Sequence, residues 1–251
     1  MPDVTLIPID GLPEITPGDD LAVMLVGALR TSGRAFEPGD ILAIAQKVVS
    51  KSEGRIRKLA DVVPGAEAER MAAESGRDAK GLQVVLDETA QIVRWQRGVL
   101  IVETRHGFVC ANAGVDHSNA GAPDTAILLP VDPDASATRI RDRIEKETGV
   151  DVPVVITDTF GRAWREGHMN VAIGISGLPA LRRYIGEFDP DGYEMRVTEI
   201  AIADEIAAAT ELVMGKLDRR PAAIVRGLAH PEGDDESART YVRPHDKDMF
   251  R

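Results

Sequence analysis

The stretch VLIVETRHGFVCA, residues 99–111, decides how the chain folds. Val99–Glu103 is apolar and rich in β-branched residues, the composition of a strand. Arg105-His106-Gly107 is a turn, and Gly107–Ala111 is apolar again. Two strands joined this tightly pair antiparallel, because a parallel pair needs a crossover of about a dozen residues. Upstream, Gln91–Trp95 reads as a strand, as do Val4–Ile9 and Ile41–Gln46, the latter continued by Val48 and Val49 to Ser50 and Lys51. Downstream, Ala126–Val131, Val152–Ile156, Asn170–Ser176 and Ala222–Val225 read the same way.

Helices fall between these strands. Asp19 and Asp20 open one over Leu21–Leu29, where acidic side chains favour the positive helix end. Glu67–Ser75 is helical and stops at Gly76. Ser136 is expected to cap a helix that buries Ile140 and Ile144 and runs to Thr148, with Gly149 as its stop. Thr198–Met214 is expected to be one long helix capped by Thr198. Strands and helices do not alternate as regular βαβ units. The expected class is α+β, with mixed, largely antiparallel sheets, flanking helices and two sub-regions. Pro133-Asp134 marks a boundary between them.

Composition narrows the function. The 251 residues carry 30 Lys and Arg against 41 Asp and Glu, a net charge of −11. That balance argues against a nucleic-acid or anionic membrane surface, which needs clustered cations. It leaves room for an anionic small ligand held by a few local cations. Cys110 is the one cysteine, so neither an intrachain disulfide nor a multi-thiolate zinc site can form. No signal-peptide pattern opens the chain and no apolar run approaches a membrane span, so a cytoplasmic protein is expected.

Two segments concentrate chemistry. In ANAGVDHSN, residues 111–119, small residues admit a ligand to the backbone, Asp116 offers a hard oxygen and Asn119 an amide. An Asx-rich turn is the bland alternative. In TDTFGRAWR, residues 157–165, Asp158 and Thr159 suit Mg²⁺ or Mn²⁺, while Arg162 and Arg165 suit bidentate binding of phosphate or carboxylate. A helix cap with two surface arginines would read the same. Lys47 and Lys51 end the Ile41 strand and could neutralise phosphate; Gly215-Lys216 could be no more than a helix stop. Cys110 reads as a small buried hydrophobe.

Together AQKVVSKSEGR (residues 45–55), HGFVCANAGVDHSN (106–119), LLPVDPDASA (128–137) and ITDTFGRAWREG (156–167) resemble the coenzyme F-420-0:γ-L-glutamate ligase family, in the family's order. The combination of ANAGVD-SN with DTFGR-WR is specific, and the resemblance spans nearly the whole chain. It implies a single ligase domain over residues 1–251, without the nitroreductase-like domain that follows in some relatives. It implies a GTP-dependent amide ligase that joins L-glutamate to coenzyme F-420-0 through an acyl phosphate, releasing GDP and phosphate. By position, Asp116, Asp158 and Thr159 match metal ligands for Mg²⁺ or Mn²⁺. Leu12, Pro13, Glu14, Ile15, Gln46, Lys47, Lys51, Asn119, Met214, Gly215, Lys216, Leu217 and Asp218 match GTP contacts. Arg162 and Arg165, catalytic candidates with the two aspartates, are read from their chemistry alone. An intertwined homodimer is the expected assembly. Leu217–Arg220 is bulkier and more charged than the family pattern. A metal-dependent phosphohydrolase using the same aspartates is the competing reading, and a non-catalytic nucleotide- or deazaflavin-binding protein is a third.

Overall fold

The computed structural model describes residues 3–116, 124–229 and 236–249. In chain order the elements are β1 (Thr5–Pro8), α1 (Leu21–Thr31), β2 (Ile41–Ala45), α2 (Gln46–Ser52), β3 (Ile56–Lys58), α3 (Ala66–Ser75) and α4 (Ala79–Asp87). Next come β4 (Thr89–Gln96), β5 (Val99–Thr104), β6 (Val109–Ala111), β7 (Thr125–Ile127) and α5 (Pro133–Thr148). The chain continues through β8 (Val154–Arg162), β9 (Arg165–Ser176), β10 (Leu181–Arg183), β11 (Glu199–Ala201), α6 (Ile202–Met214) and β12 (Ala222–Arg226). Among the described residues no helix is long and apolar enough to cross a membrane.

The central sheet runs β1-β12-β2-β8-β9. Its pairs are antiparallel except β2 with β8, where Leu42–Ala45 lies parallel to Val154–Thr157. ILAIA and VVIT are apolar on both faces because helices cover them, the pattern expected of parallel strands. A second sheet, β4-β5-β6, contains the expected hairpin, with Val102 opposite Cys110. Gly107 makes its turn at φ 96°, a conformation costly to any residue with a Cβ. The α+β class with mostly antiparallel sheets is therefore what forms.

Two apolar cores correspond to the two sub-regions. The larger joins the central sheet to α1, α5 and α6; the smaller gathers Met71, Leu82, Val85, Leu100, Val102 and Leu128 around α3, α4 and β5. The division does not fall at Pro133-Asp134. Asp132 caps α5 by accepting from Ala135 N–H at 3.0 Å, and Pro133 occupies the first turn, where its missing N–H costs nothing. Ser136, expected as the cap, lies inside the helix and donates to Glu53 Oε1 at 2.5 Å.

Other boundaries moved for tertiary reasons. Val48–Lys51 belongs to α2 rather than to the Ile41 strand, because the ladder with β8 ends at Ala45 and Val49 buries as a helix residue. The long helix starts at Ile202, since Glu199–Ala201 pairs with Leu181–Arg183 as a strand; Thr198 caps nothing. The strand expected over Ala126–Val131 leaves its ladder after Ile127, although Leu128 and Leu129 stay buried. The helix α4 is weakly marked in sequence: its Gly81 and paired valines lower helix propensity, and Asp78 secures its start by accepting from Gly81 N–H at 2.7 Å.

At Gly174 the strand β9 meets the start of α5, and a Cβ there would lie 2.5 Å from the Pro133 carbonyl group. Gly174→Ala is expected to cost about 1–3 kcal/mol through forced displacement of the backbone. Thermal unfolding should show a midpoint lowered by several degrees, whereas Gly161→Ala, which meets nothing within 4 Å, should stay near wild type.

Candidate active site

The parallel strands β2 and β8 end side by side, and a pocket of about 170 Å³ opens there. Ligands in sheets with parallel strands gather beyond such carboxyl ends. The wall combines Gln46, Lys47 and Lys51 of α2 with Thr157, Asp158 and Thr159 of β8, Asn170 of β9, and Glu211, Met214, Gly215 and Lys216 at the end of α6. Arg220 and Pro221 complete it. Asp158 and Thr159 are not on a loop: β8 continues through them to Arg162, with Asp158 opposite Val171 and Thr159 opposite Asn170. The Gly161 and polar residues of TDTFGR read as a loop, but pairing with β9 satisfies their backbone. The ladder slips one register between Ile156 and Thr157, a bulge that increases the local bend just before Asp158.

Asp116 reaches this place from the other sub-region. Its backbone exchanges two hydrogen bonds with Ile127, at 3.0 and 2.8 Å, and its carboxylate lies 2.6 Å from Lys47 Nζ. The three residues Asn112, Ala113 and Gly114 precede it in the left-handed region, with φ of 53°, 53° and 68°. Ala113 takes that conformation at a cost that its complete burial in the smaller core offsets. Arg77 Nη2 donates to Asn112 Oδ1 at 3.1 Å and holds the turn.

Burial pushes the Asp158 carboxyl up to about 7; the nearby Asp116 charge adds to the rise, while a hydrogen bond from the Thr159 backbone and the charges of Lys47 and Lys216 oppose it. The two aspartates thus share an electrostatic environment despite their separation in sequence. Burial, reinforced by Asp158, pushes the Cys110 thiol up to about 12, which disfavours the thiolate that a nucleophile needs. Thr159 Oγ1 donates to Asn170 Oδ1 at 2.7 Å and accepts from Lys216 Nζ. Asn170 Nδ2 donates to Glu211 Oε2 at 2.9 Å. Thr157 Oγ1 and Gln46 Nε2 are buried without a hydrogen-bond partner among the described residues, so the pocket presents polar capacity to a ligand.

The GTP-contact candidates divide. Gln46, Lys47, Lys51, Met214, Gly215 and Lys216 line the pocket. Leu12, Pro13, Glu14 and Ile15 do not, although Glu14 pairs with Lys51 at its edge and Ile15 is buried in the larger core. Leu217 is 91% exposed and, with Asp218, stands outside the lining. Arg162 and Arg165 face each other at the β8–β9 turn, away from this pocket; Arg162 Nη2 donates to Glu166 O at 2.6 Å. Asn119 lies outside the described residues. Asn170, Glu211 and Arg220 were not singled out in sequence. An amide at the head of an apolar run is the signal that sequence offers for Asn170.

Among the described residues no three His, Cys, Asp or Glu side chains converge as a metal centre. The oxygens of Asp116, Asp158 and Thr159 nonetheless fit a hard divalent cation that takes one or two carboxylates together with substrate phosphate oxygens.

A family model described as F420-0:Gamma-glutamyl ligase matches residues 11–227. Three curated proteins, each named "Coenzyme F420:L-glutamate ligase", are similar to the chain. That of Methanothermobacter thermautotrophicus is 41% identical over 99% of both chains. That of Methanopyrus kandleri is 43% identical over 100% of this chain and 99% of its own. That of Methanocaldococcus jannaschii is 44% identical over 86% of each.

The raised Asp158 carboxyl carries a stability consequence. Between about pH 4 and 7 the folded protein keeps a proton that the unfolded chain, with its ordinary value of 3.8, has released. Stability of the metal-free protein should therefore fall as pH rises through that window. Asp158→Asn should remove this slope and exceed wild type above pH 7 by roughly 1–3 kcal/mol. Urea unfolding midpoints measured with a chelator from pH 4.5 to 8 test it; parallel pH profiles would refute the burial cost.

Proposed function

We infer from the chain's place in the F420-0:Gamma-glutamyl ligase family, to which it belongs, that it joins L-glutamate to coenzyme F-420-0 by an amide bond, using GTP. The observation that carries the nucleotide part is the meeting of Asp116, Asp158, Lys47 and Lys216 around one pocket at the ends of β2 and β8. Anionic oxygens alone would repel triphosphate; ammonium groups alone would bind it without a place for a divalent cation. The pocket has both.

The chemistry follows from the poor electrophilicity of a carboxylate. An oxygen of the acceptor carboxylate attacks the γ-phosphorus of GTP, the bond to the β-phosphate oxygen breaks, and GDP leaves. The glutamate amine then attacks the acyl carbon, the acyl–phosphate bond breaks, and the amine gives up a proton to solvent. Lys47, Lys51 and Lys216 offset phosphate charge as the carboxylate approaches. Asp116, Asp158 and Thr159 would hold Mg²⁺ or Mn²⁺, which when bound neutralises the phosphoryl oxygens. The Thr159–Asn170–Glu211 hydrogen bonds keep the hydroxyl of Thr159 and the ammonium of Lys216 in place.

A homodimer completes the proposal. Between β10 and β11 the chain forms a β-ribbon, closed by hydrogen bonds such as Tyr184 N–H to Thr198 O at 3.0 Å and Met195 N–H to Glu187 O at 2.8 Å. Ile185, Phe188, Tyr193 and Val197 stand exposed along it. Such an apolar arm suits burial against a second copy. Phe188→Asp with Val197→Asp should shift the sedimenting species from dimer to monomer at micromolar protein.

Turnover assays decide the reaction. GTP hydrolysis without glutamate and coenzyme F-420-0 at the full rate would favour a phosphohydrolase, and GMP with pyrophosphate as products would exclude the acyl phosphate. Asp116→Asn and Asp158→Asn should each lower ligation by about 10²–10³ with the fold retained. Thr159→Val should do less, and Cys110→Ser should leave turnover near wild type.

A further inference from the structure

We propose that a second cavity, across the β8–β9 hairpin from the phosphate pocket, receives the planar heteroaromatic end of the acceptor, with Asp204 accepting a hydrogen bond from a ring N–H. This rests on the ligase reading above. The cavity encloses about 390 Å³, within the range of small-molecule sites. Its walls include Phe108, Phe160, Trp164 and Tyr241, and the ring of Phe108 meets that of Phe160 edge-on at 6.4 Å. Aromatic faces arranged around a slot select a flat conjugated guest over an aliphatic one. Trp164 is 80% exposed at the hairpin turn and holds φ at 58°, a left-handed conformation rare for a bulky residue.

Asp204, Arg243 and Asp248 are the charged residues of the wall, and Asp204 is the one that a helix holds in place. It lies in the first turn of α6, and its Oδ1 accepts from Ala172 N–H at 2.8 Å. Its Oδ2 has no hydrogen-bond partner among the described residues, and the side chain lines the cavity. A half-buried carboxylate with one oxygen committed and one open can take a single N–H from the edge of a ring imide. Burial raises the Asp204 carboxyl, which is the desolvation such a bond would offset.

The occupant is chosen by continuity with the phosphate pocket. One strand, β8, gives Asp158 and Thr159 to that pocket and Phe160 to this one; β9 likewise gives Asn170 to one and Val171 to the other. A molecule seated by its ring between Phe160 and Tyr241 has its tail within reach of the hairpin edge. There its carboxylate would meet the γ-phosphate. The two cavities thus separate the acceptor's recognition from its activation.

The test is fluorescence titration with coenzyme F-420-0 in the absence of GTP and metal, on wild type, Asp204→Asn and Trp164→Ala. The asparagine keeps an oxygen for Ala172 N–H but turns a donor toward the ring. Each variant should weaken coenzyme F-420-0 binding about tenfold or more, with GTP affinity and thermal midpoint unchanged. In turnover, KM for coenzyme F-420-0 should rise more than kcat falls. Wild-type affinity in both variants would overturn the proposal. So would a Trp164→Ala variant that binds normally but loses its dimer, since the cavity would then serve contact between copies. Wild type that binds coenzyme F-420-0 without ligating it, while the variants bind weakly, would sink the ligase reading and leave the cavity assignment standing. Wild type that does not bind it would sink both.

Discussion

The parallel pairing of β2 with β8 is the constraint on which the site depends. Within the central sheet every other pair is antiparallel, so only here do two adjacent strands end on the same side. Four residues of pairing, Leu42–Ala45 against Val154–Thr157, fix which residues follow on each strand. Gln46 and Lys47 emerge on one side, Asp158 and Thr159 on the other. An antiparallel pair would have sent these groups to opposite ends of the sheet. Both strands are apolar on both faces, so the residues that flank them, and not an alternating pattern within them, have to fix the register.

Ion pairs then balance the charge around the pocket. The acidic chain concentrates cations where the strands end: Lys47 against Asp116, Lys51 against Glu14, and Lys216 against Glu211 and Thr159. Each ammonium has a carboxylate partner, so none stands as an unpaired charge before a ligand arrives. Asp158 is treated differently. Burial raises it, and its nearest opposing charges are shared with other carboxylates. The result is a carboxyl poised to gain from any added positive charge.

The second sub-region contributes through a single strained turn. Left-handed Asn112 and Ala113 redirect the chain after β6, and the backbone bridge to Ile127 delivers Asp116 to Lys47. Arg77 braces the turn from the start of α4, so the smaller core supports the geometry of a residue whose charge acts at the edge of the larger one.

Local sequence determined the hairpin at 99–111, the α+β class, the small-residue turn before Asp116 and the oxygen donors that Asp116 and Asp158 offer, though only the fold brings these two aspartates near one another. These are legible because apolar runs, turn residues and oxygen donors act at short range. Local sequence did not determine that Thr157–Arg162 is strand, that Glu199–Ala201 pairs with Leu181–Arg183, or that Val48–Lys51 is helix, because partners distant in the chain override local propensity. Nor could it place Arg162 and Arg165 at the hairpin turn, away from the pocket at the ends of β2 and β8, or bring Asn170 and Glu211 into that pocket. Strand order and register decide where a side chain meets a substrate. They are set by burial of the whole sheet against its helices, a free energy that no short stretch of residues contains.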